Sequence, residues 1–209
     1  FLVFVGIIGF SIARAIATFF TNYLWFDSVD LNSVWIKILL TKSILVAATS
    51  LLAFAFIFVN LRLAVRATPV MDIFESFESQ DPLTRFREFF NERFLKYRLW
   101  GAIGLSLFLG AGASQLWEQV LLFINQKSFG VADPVFQYDV SSYVFGLPLY
   151  RLFVSWGFQL VIFTSFIIIL FFIATGALQL RQGRLPEVSS GAKAHLSVLL
   201  AFVALLKAF

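Results

Sequence analysis

Apolar residues in this chain fall in long blocks. They show neither the alternation of a half-buried strand nor the single stripe of a soluble helix. Five blocks stand out, at about 1–24, 34–60, 99–123, 149–180 and 196–209. A helix crossing the hydrocarbon core of a bilayer needs about 20 mostly apolar residues. Four blocks reach that length, and the fifth is still apolar at Phe209. The pattern predicts an all-α fold, a polytopic transmembrane helical bundle. The fourth block would be about 48 Å long as a helix. That exceeds a core of roughly 30 Å, so tilt or projection is expected there. Because residues 1 and 209 both lie within apolar runs, the chain is expected to be part of a longer protein. The first block does not read as a secretory leader: it is too long, no basic region precedes it, and Arg14 interrupts it.

Composition agrees with the pattern. The 209 residues are 60% hydrophobic and 13% charged, whereas soluble domains are about half apolar and about a quarter charged. The lipid bilayer is therefore the first partner implied. The net charge of +4 does not point to nucleic acid; in a membrane protein basic residues record orientation. The connection 61–98 holds seven Lys or Arg and 181–195 holds three, while 25–33 holds none and 124–148 holds only Lys127. The alternation predicts that 61–98 and 181–195 are cytoplasmic and that 25–33 and 124–148 are extracytoplasmic.

Two of these connections are patterned. In "DPLTRFREFFNERFLKYRLW", Asp81 and Pro82 form a helix start. Leu83, Phe86, Phe90, Phe94 and Tyr97 then recur at helical spacing. An interfacial amphipathic helix is expected over about 82–97, and a shorter one in "MDIFESFESQ" over about 70–79. Packing of either against other protein is the alternative. In "FGVADPVFQYDVSSYVFGLPLYR", aromatic residues suited to the membrane–water boundary surround Asp133-Pro134, a turn or helix start, and Asp139, a cap for a short helix over about 140–145. Gly146 is expected to end that helix and Pro148 to open the next. The whole segment 129–148 reads as a re-entrant or interfacial cap on the outer end of the bundle, with a binding site as the alternative.

The same residues carry a family resemblance. "WEQVLLFINQKSFGVADPVFQYDVSSYVFGLPLYR" (117–151) resembles the most recognisable stretch of uncharacterised protein family 0182, large bacterial membrane proteins. Within it Phe129, Gly130, Asp133, Pro134, Asp139, Tyr143, Pro148 and Arg151 form the family-like motif. "NYLWFDSVDLNSVW" (22–35), "NLRLAVR" (60–66) and "HLSVLLAFVALLKAF" (195–209) are similar to further parts of the family, in the same order. The resemblance implies about seven membrane helices followed by a large extracytoplasmic domain, of which this chain would be the N-terminal transmembrane part. It implies no catalytic residues and no cofactor. Arg14 departs from the uniformly apolar first helix that the family leads one to expect.

Charges within apolar blocks are costly and are functional candidates by default. Arg14 falls about 15 Å from the outer end of its helix, near the midplane. Ser11, Arg14, Thr18 and Thr21 share one polar stripe. Lys42 lies one or two turns below the outer surface, where it can snorkel, and Glu118 is placed to pair with Lys42 or Lys37. In the third block Ala102, Ser106, Gly110 and Ser114 recur every four residues, a small-residue ridge that lets another helix approach.

Metal and enzyme signatures are missing from the sequence. There is no cysteine, and His195 is the single histidine, which excludes thiolate and multi-histidine metal sites. No phosphate loop, dinucleotide fingerprint, HExxH or nucleophile elbow is present. The expected function is that of a structural or accessory component of a larger membrane complex, with other membrane subunits as partners. The alternatives are a transporter or channel for an ion or anionic solute built on the Arg14 stripe, and an anchor for an extracytoplasmic domain. The expected location is the bacterial plasma membrane, or a thylakoid or other internal membrane.

Overall fold

The computed structural model describes residues 2–68, 82–179 and 187–208. It is an all-α helical protein. The helices are α1 (Leu2–Ser28), α2 (Asn32–Ala67), α3 (Pro82–Gly112), α4 (Trp117–Ile124), α5 (Leu147–Ala174) and α6 (Ser190–Ala208). Among the described residues, five segments are long and apolar enough to cross a membrane: Val5–Ser28, Asn32–Ala67, Lys96–Ile124, Ser142–Ala174 and Ser190–Ala208. The protein is a multi-pass membrane protein. The chain divides into two compact units, residues 1–44 and 45–209.

The first unit is a helical hairpin of α1 and the start of α2. Its turn is closed by Leu31 N–H donating to the Phe26 carbonyl at 2.9 Å. Asp30 adopts φ 56° there, a left-handed conformation that Asp tolerates better than most residues. Edge-on aromatic contacts lock the hairpin, with Trp35 5.1 Å from Phe19 and 5.3 Å from Tyr23. Offset contacts of this kind add about 0.5–1.5 kcal/mol each to the area they bury.

The second unit has a continuous core. Ala53, Ile57, Leu61 and Ala64 of α2 follow one another at intervals of three and four, so they share a face. They pack with Ala102 and Leu109 of α3, with Leu160, Ile168, Phe171 and Phe172 of α5, and with Ala192 and Leu199 of α6. Phe172 and Ile168 are fully enclosed. The outward faces of these helices remain apolar, as lipid contact requires.

Several boundaries differ from the sequence expectation. The amphipathic stretch 82–97 and the apolar stretch from 99 form one helix, α3, because no glycine or proline separates them. α2 extends beyond residue 60 to Ala67, which places Arg62 and Arg66 on its last turns. α5 ends at Ala174 rather than near 180. There Thr175 turns its hydroxyl back to the Phe171 carbonyl at 2.9 Å, and Gly176 adopts φ 76°. A two-stranded antiparallel hairpin follows, β1 (Leu178–Gln179) against β2 (Glu187–Val188). α6 starts at Ser190, so Lys193 and His195 are helical rather than loop residues. The Ser189 hydroxyl caps that start, accepting from Ala192 N–H at 3.3 Å. The expected helix over 70–79 lies outside the described residues, as do Arg181 and Arg184.

The segment 129–148 is not a separate re-entrant helix. Residues 125–139 form a loop with one antiparallel bridge, Ala132 to Asp139. A π-helical turn, Ser142–Gly146, then runs directly into α5. Gly146 is right-handed helical at φ −79° and does not terminate anything. Pro148, within the first two residues of α5, lacks the N–H that would bond back into the preceding turn. A widened π turn just before it is the conformation such a gap favours.

Candidate functional site

Two constellations gather polar groups in the second unit. The first is the aromatic loop 125–141, which lies between two membrane-spanning segments. Its carboxylates are both used internally. Asp139 accepts hydrogen bonds from the Ser128 hydroxyl, from Phe129 N–H at 3.1 Å, from Gly130 N–H at 3.0 Å and from Ser141 N–H at 2.8 Å. The Ser128 hydroxyl bond, with those from Ser141 and Phe129, holds the Asp139 carboxyl well below the usual carboxylate range. Gly130 reaches Asp139 with φ 70°, a conformation glycine adopts freely. Asp133 accepts from Phe136 N–H at 2.7 Å, Val135 N–H at 3.2 Å and the Tyr143 hydroxyl at 3.3 Å. Asp133 therefore organises the Pro134 turn, while Asp139 ties both ends of the loop to the start of the next helix.

The loop is thus stiff at its base and apolar at its surface. Phe129, Val131, Val135, Phe136 and Tyr138 are all exposed, Val135 at 74%. Only Phe129 has a ring partner described, Phe145 at 5.7 Å. Pro148 and Arg151 lie beyond the loop on α5, with Arg151 exposed. Beside the loop base, Trp117, Glu118 and Leu121 of α4 line a hollow of about 350 Å³ with Asn125 and Phe145. Glu118 is exposed on its rim.

The second constellation is a buried polar pair. Asn60 on α2 and His195 on α6 meet at 3.0 Å between Oδ1 and Nε2, and each is only 8% exposed. Asn60 Nδ2 donates to the Phe56 carbonyl at 2.8 Å, which turns Oδ1 toward the ring. Oδ1 can only accept, so Nε2 carries the hydrogen. Nδ1 is buried and has no partner among the described residues. Phe172 packs edge-on against the ring at 5.9 Å. In the sequence, His195 stands only as the single histidine and Asn60 only as the first residue of the family-like stretch NLRLAVR. The available signal was that each is a lone amide or imidazole near the end of an apolar run, where such groups seek one another.

The small-residue ridge of α3 is brought against α2. Ala102, Ser106 and Gly110 are buried. A Cβ on Gly110 would collide with the Ser50 side chain and lie 2.9 Å from its Cα. Thr49 Oγ1 is 3.4 Å from the Gly110 carbonyl. Ser114 is not the fourth member. A 3-10 turn, Ala113–Leu116, follows α3 and advances the phase, so Ala113 is buried instead at 1% exposure. In the first unit Ser11, Arg14 and Thr18 lie on an exposed face of α1, Ser11 turning its hydroxyl to the Ile7 carbonyl at 2.8 Å. Lys42 is half-buried. Among the described residues no group of three or more His, Asp or Glu could hold a metal ion.

The model of the uncharacterised protein family UPF0182 matches residues 1–209. The chain belongs to this family. UPF0182 proteins of Mycobacterium tuberculosis (strain H37Rv) and Rhodococcus jostii are similar to it. The first is 36% identical over 90% of this chain, and the second 34% identical over 86%. A UPF0182 protein of Nocardia farcinica is 33% identical over 90% of the chain. The chain spans only 18–19% of the length of these relatives. No solved structure matches it.

Proposed function

We propose that this part of the UPF0182 protein is a membrane-embedded scaffold, and that the aromatic loop 125–141 is its docking platform for the rest of a larger membrane assembly. The observation that carries this is the loop itself. Its carboxylates are spent on its own backbone, and its exposed surface is a cluster of large apolar side chains outside the spanning segments. Exposed apolar clusters of this kind mark interaction sites. Rigid presentation also lowers the entropy cost of docking. The excess of Lys and Arg on the connections 61–98 and 181–195 supports an extracytoplasmic platform at the bacterial plasma membrane in this reading. An anchor for an extracytoplasmic domain is the intramolecular form of the same reading.

The test is site-specific photocrosslinking in native membranes. A benzophenone amino acid is placed at Phe136 or Val135 of the full-length protein. Discrete protein adducts, to another subunit or to a later part of the same polypeptide, are expected. Crosslinking to lipid alone from both positions would overturn the platform.

A further inference from the structure

The antiparallel helices α2 and α6 enclose a groove of about 830 Å³, distinct from the aromatic loop. It runs from Leu52 and Phe202 at one end to Arg66 and Ala67 at the other. The interval from residue 52 to 67 corresponds to about 22 Å of helix. Its walls are almost wholly apolar, with Val59, Val198 and Phe202 among them, and Phe202 closes on Phe56 at 6.0 Å between ring centroids. Its polar groups are graded along its length. Arg66 sits at the mouth. Roughly 9 Å further in, six residues along α2, come Asn60 and His195. Beyond them, among the described residues, only apolar side chains line the groove. Lys193 lies at the same end as Arg66, because Gly191 of the first turn of α6 packs against the backbone of Ala67.

This order of chemistry matches one class of molecule. A phospholipid presents an anionic phosphate, then ester carbonyls a few ångströms deeper, then an acyl chain. A basic mouth between membrane helices is a recognised way to hold an anionic headgroup. Asn60 has a second amide hydrogen beyond the one it gives Phe56, so it can donate to an ester carbonyl at that depth. Arg62, one turn away, is held over the Phe58 ring at 5.2 Å, off the groove. We propose that the α2–α6 groove holds one anionic membrane phospholipid, with its acyl chain along the groove, its glycerol esters at Asn60 and its phosphate at Arg66 and Lys193.

The test uses the full-length protein in nanodiscs of phosphatidylcholine with a fifth phosphatidylglycerol. Lipid retained on the protein is read by native mass spectrometry after transfer to mild detergent. The wild type is expected to keep phosphatidylglycerol at about one per chain. Arg66→Gln should reduce that retention about tenfold. Val198→Trp, which fills the groove, should abolish it. Arg151→Gln removes an equal charge elsewhere and should leave retention unchanged. Unchanged melting temperatures show that each variant is folded. Equal retention in wild type, Arg66→Gln and Val198→Trp would overturn the proposal. So would equal uptake of phosphatidylcholine, or crosslinking of a photoreactive residue at 198 to protein instead of lipid.

Discussion

Asn60 on α2 and His195 on α6 are 135 positions apart in sequence, yet their side chains meet at 3.0 Å in the interior of the second unit. The contact fixes the register of two antiparallel helices that are otherwise joined by sliding apolar surfaces. In lipid an unpaired amide or imidazole has no water to turn to, so the pair is strongly preferred over either member alone.

That relationship can be measured. Asn60→Leu and His195→Leu should each destabilise the protein, by about 1–3 kcal/mol, because each leaves a buried polar partner unmatched. The double replacement should cost less than the sum. A coupling of about 0.6–1.7 kcal/mol is expected, from the average to the largest coupling measured for hydrogen bonds between membrane helices. Unfolding of all four proteins in mixed detergent micelles checks it, and strict additivity would remove the pair as a determinant of register.

The α2–α3 crossing predicts opposite outcomes at two glycines of one helix. Gly110→Ala forces a methyl group into Ser50, where backbone as well as side chain must move. A loss of about 1–3 kcal/mol is expected, as for other overpacked sites. Gly104 has nothing within 4 Å of the added carbon. Gly104→Ala should be neutral or stabilise by up to about 1 kcal/mol through helix propensity. Thermal denaturation in detergent distinguishes the two, and similar shifts for both would contradict the close crossing.

The aromatic loop should respond to acid through Asp139. Its carboxyl is depressed in the folded protein by the Ser128 hydroxyl and the Ser141 and Phe129 bonds. A depressed folded value means that ionised Asp139 favours the folded loop. That contribution is complete above the ordinary value of 3.8 and is lost progressively as pH falls below it toward the folded value. Hydrogen exchange at the Phe129, Gly130 and Ser141 amides should therefore show constant protection from pH 7 to about 4, then a decline. Asp139→Asn should lower the protection at neutral pH. A decline beginning near pH 6 would assign the loop's integrity to another group.

Much of the architecture was legible in the sequence because lipid imposes a coarse rule. Apolar blocks of membrane length had to be helices, and Ala102, Ser106 and Gly110 advertised a close approach. The features that sequence reading missed depend on finer geometry. Ser114 lost its place to Ala113 through a 3-10 turn that no residue pattern announces. The end of α5 at Ala174 hinges on one hydroxyl and one left-handed glycine, inside a run that stays apolar to Leu180. Asn60 and His195 are unremarkable singly; their meaning arises only when α2 and α6 are set side by side. Spacing aligns Ser11, Arg14 and Thr18 along α1, but spacing says nothing of what faces them.

The scaffold reading rests most directly on the composition of the particle in which the protein resides. The intact protein should be purified from its native membrane in mild detergent, washed stringently, and weighed with its bound components by mass analysis. The account predicts other polypeptides at stoichiometric ratio, lost when Val135 and Phe136 are both changed to serine. A particle containing only this protein, in which Arg14→Leu abolishes solute flux, would contradict it.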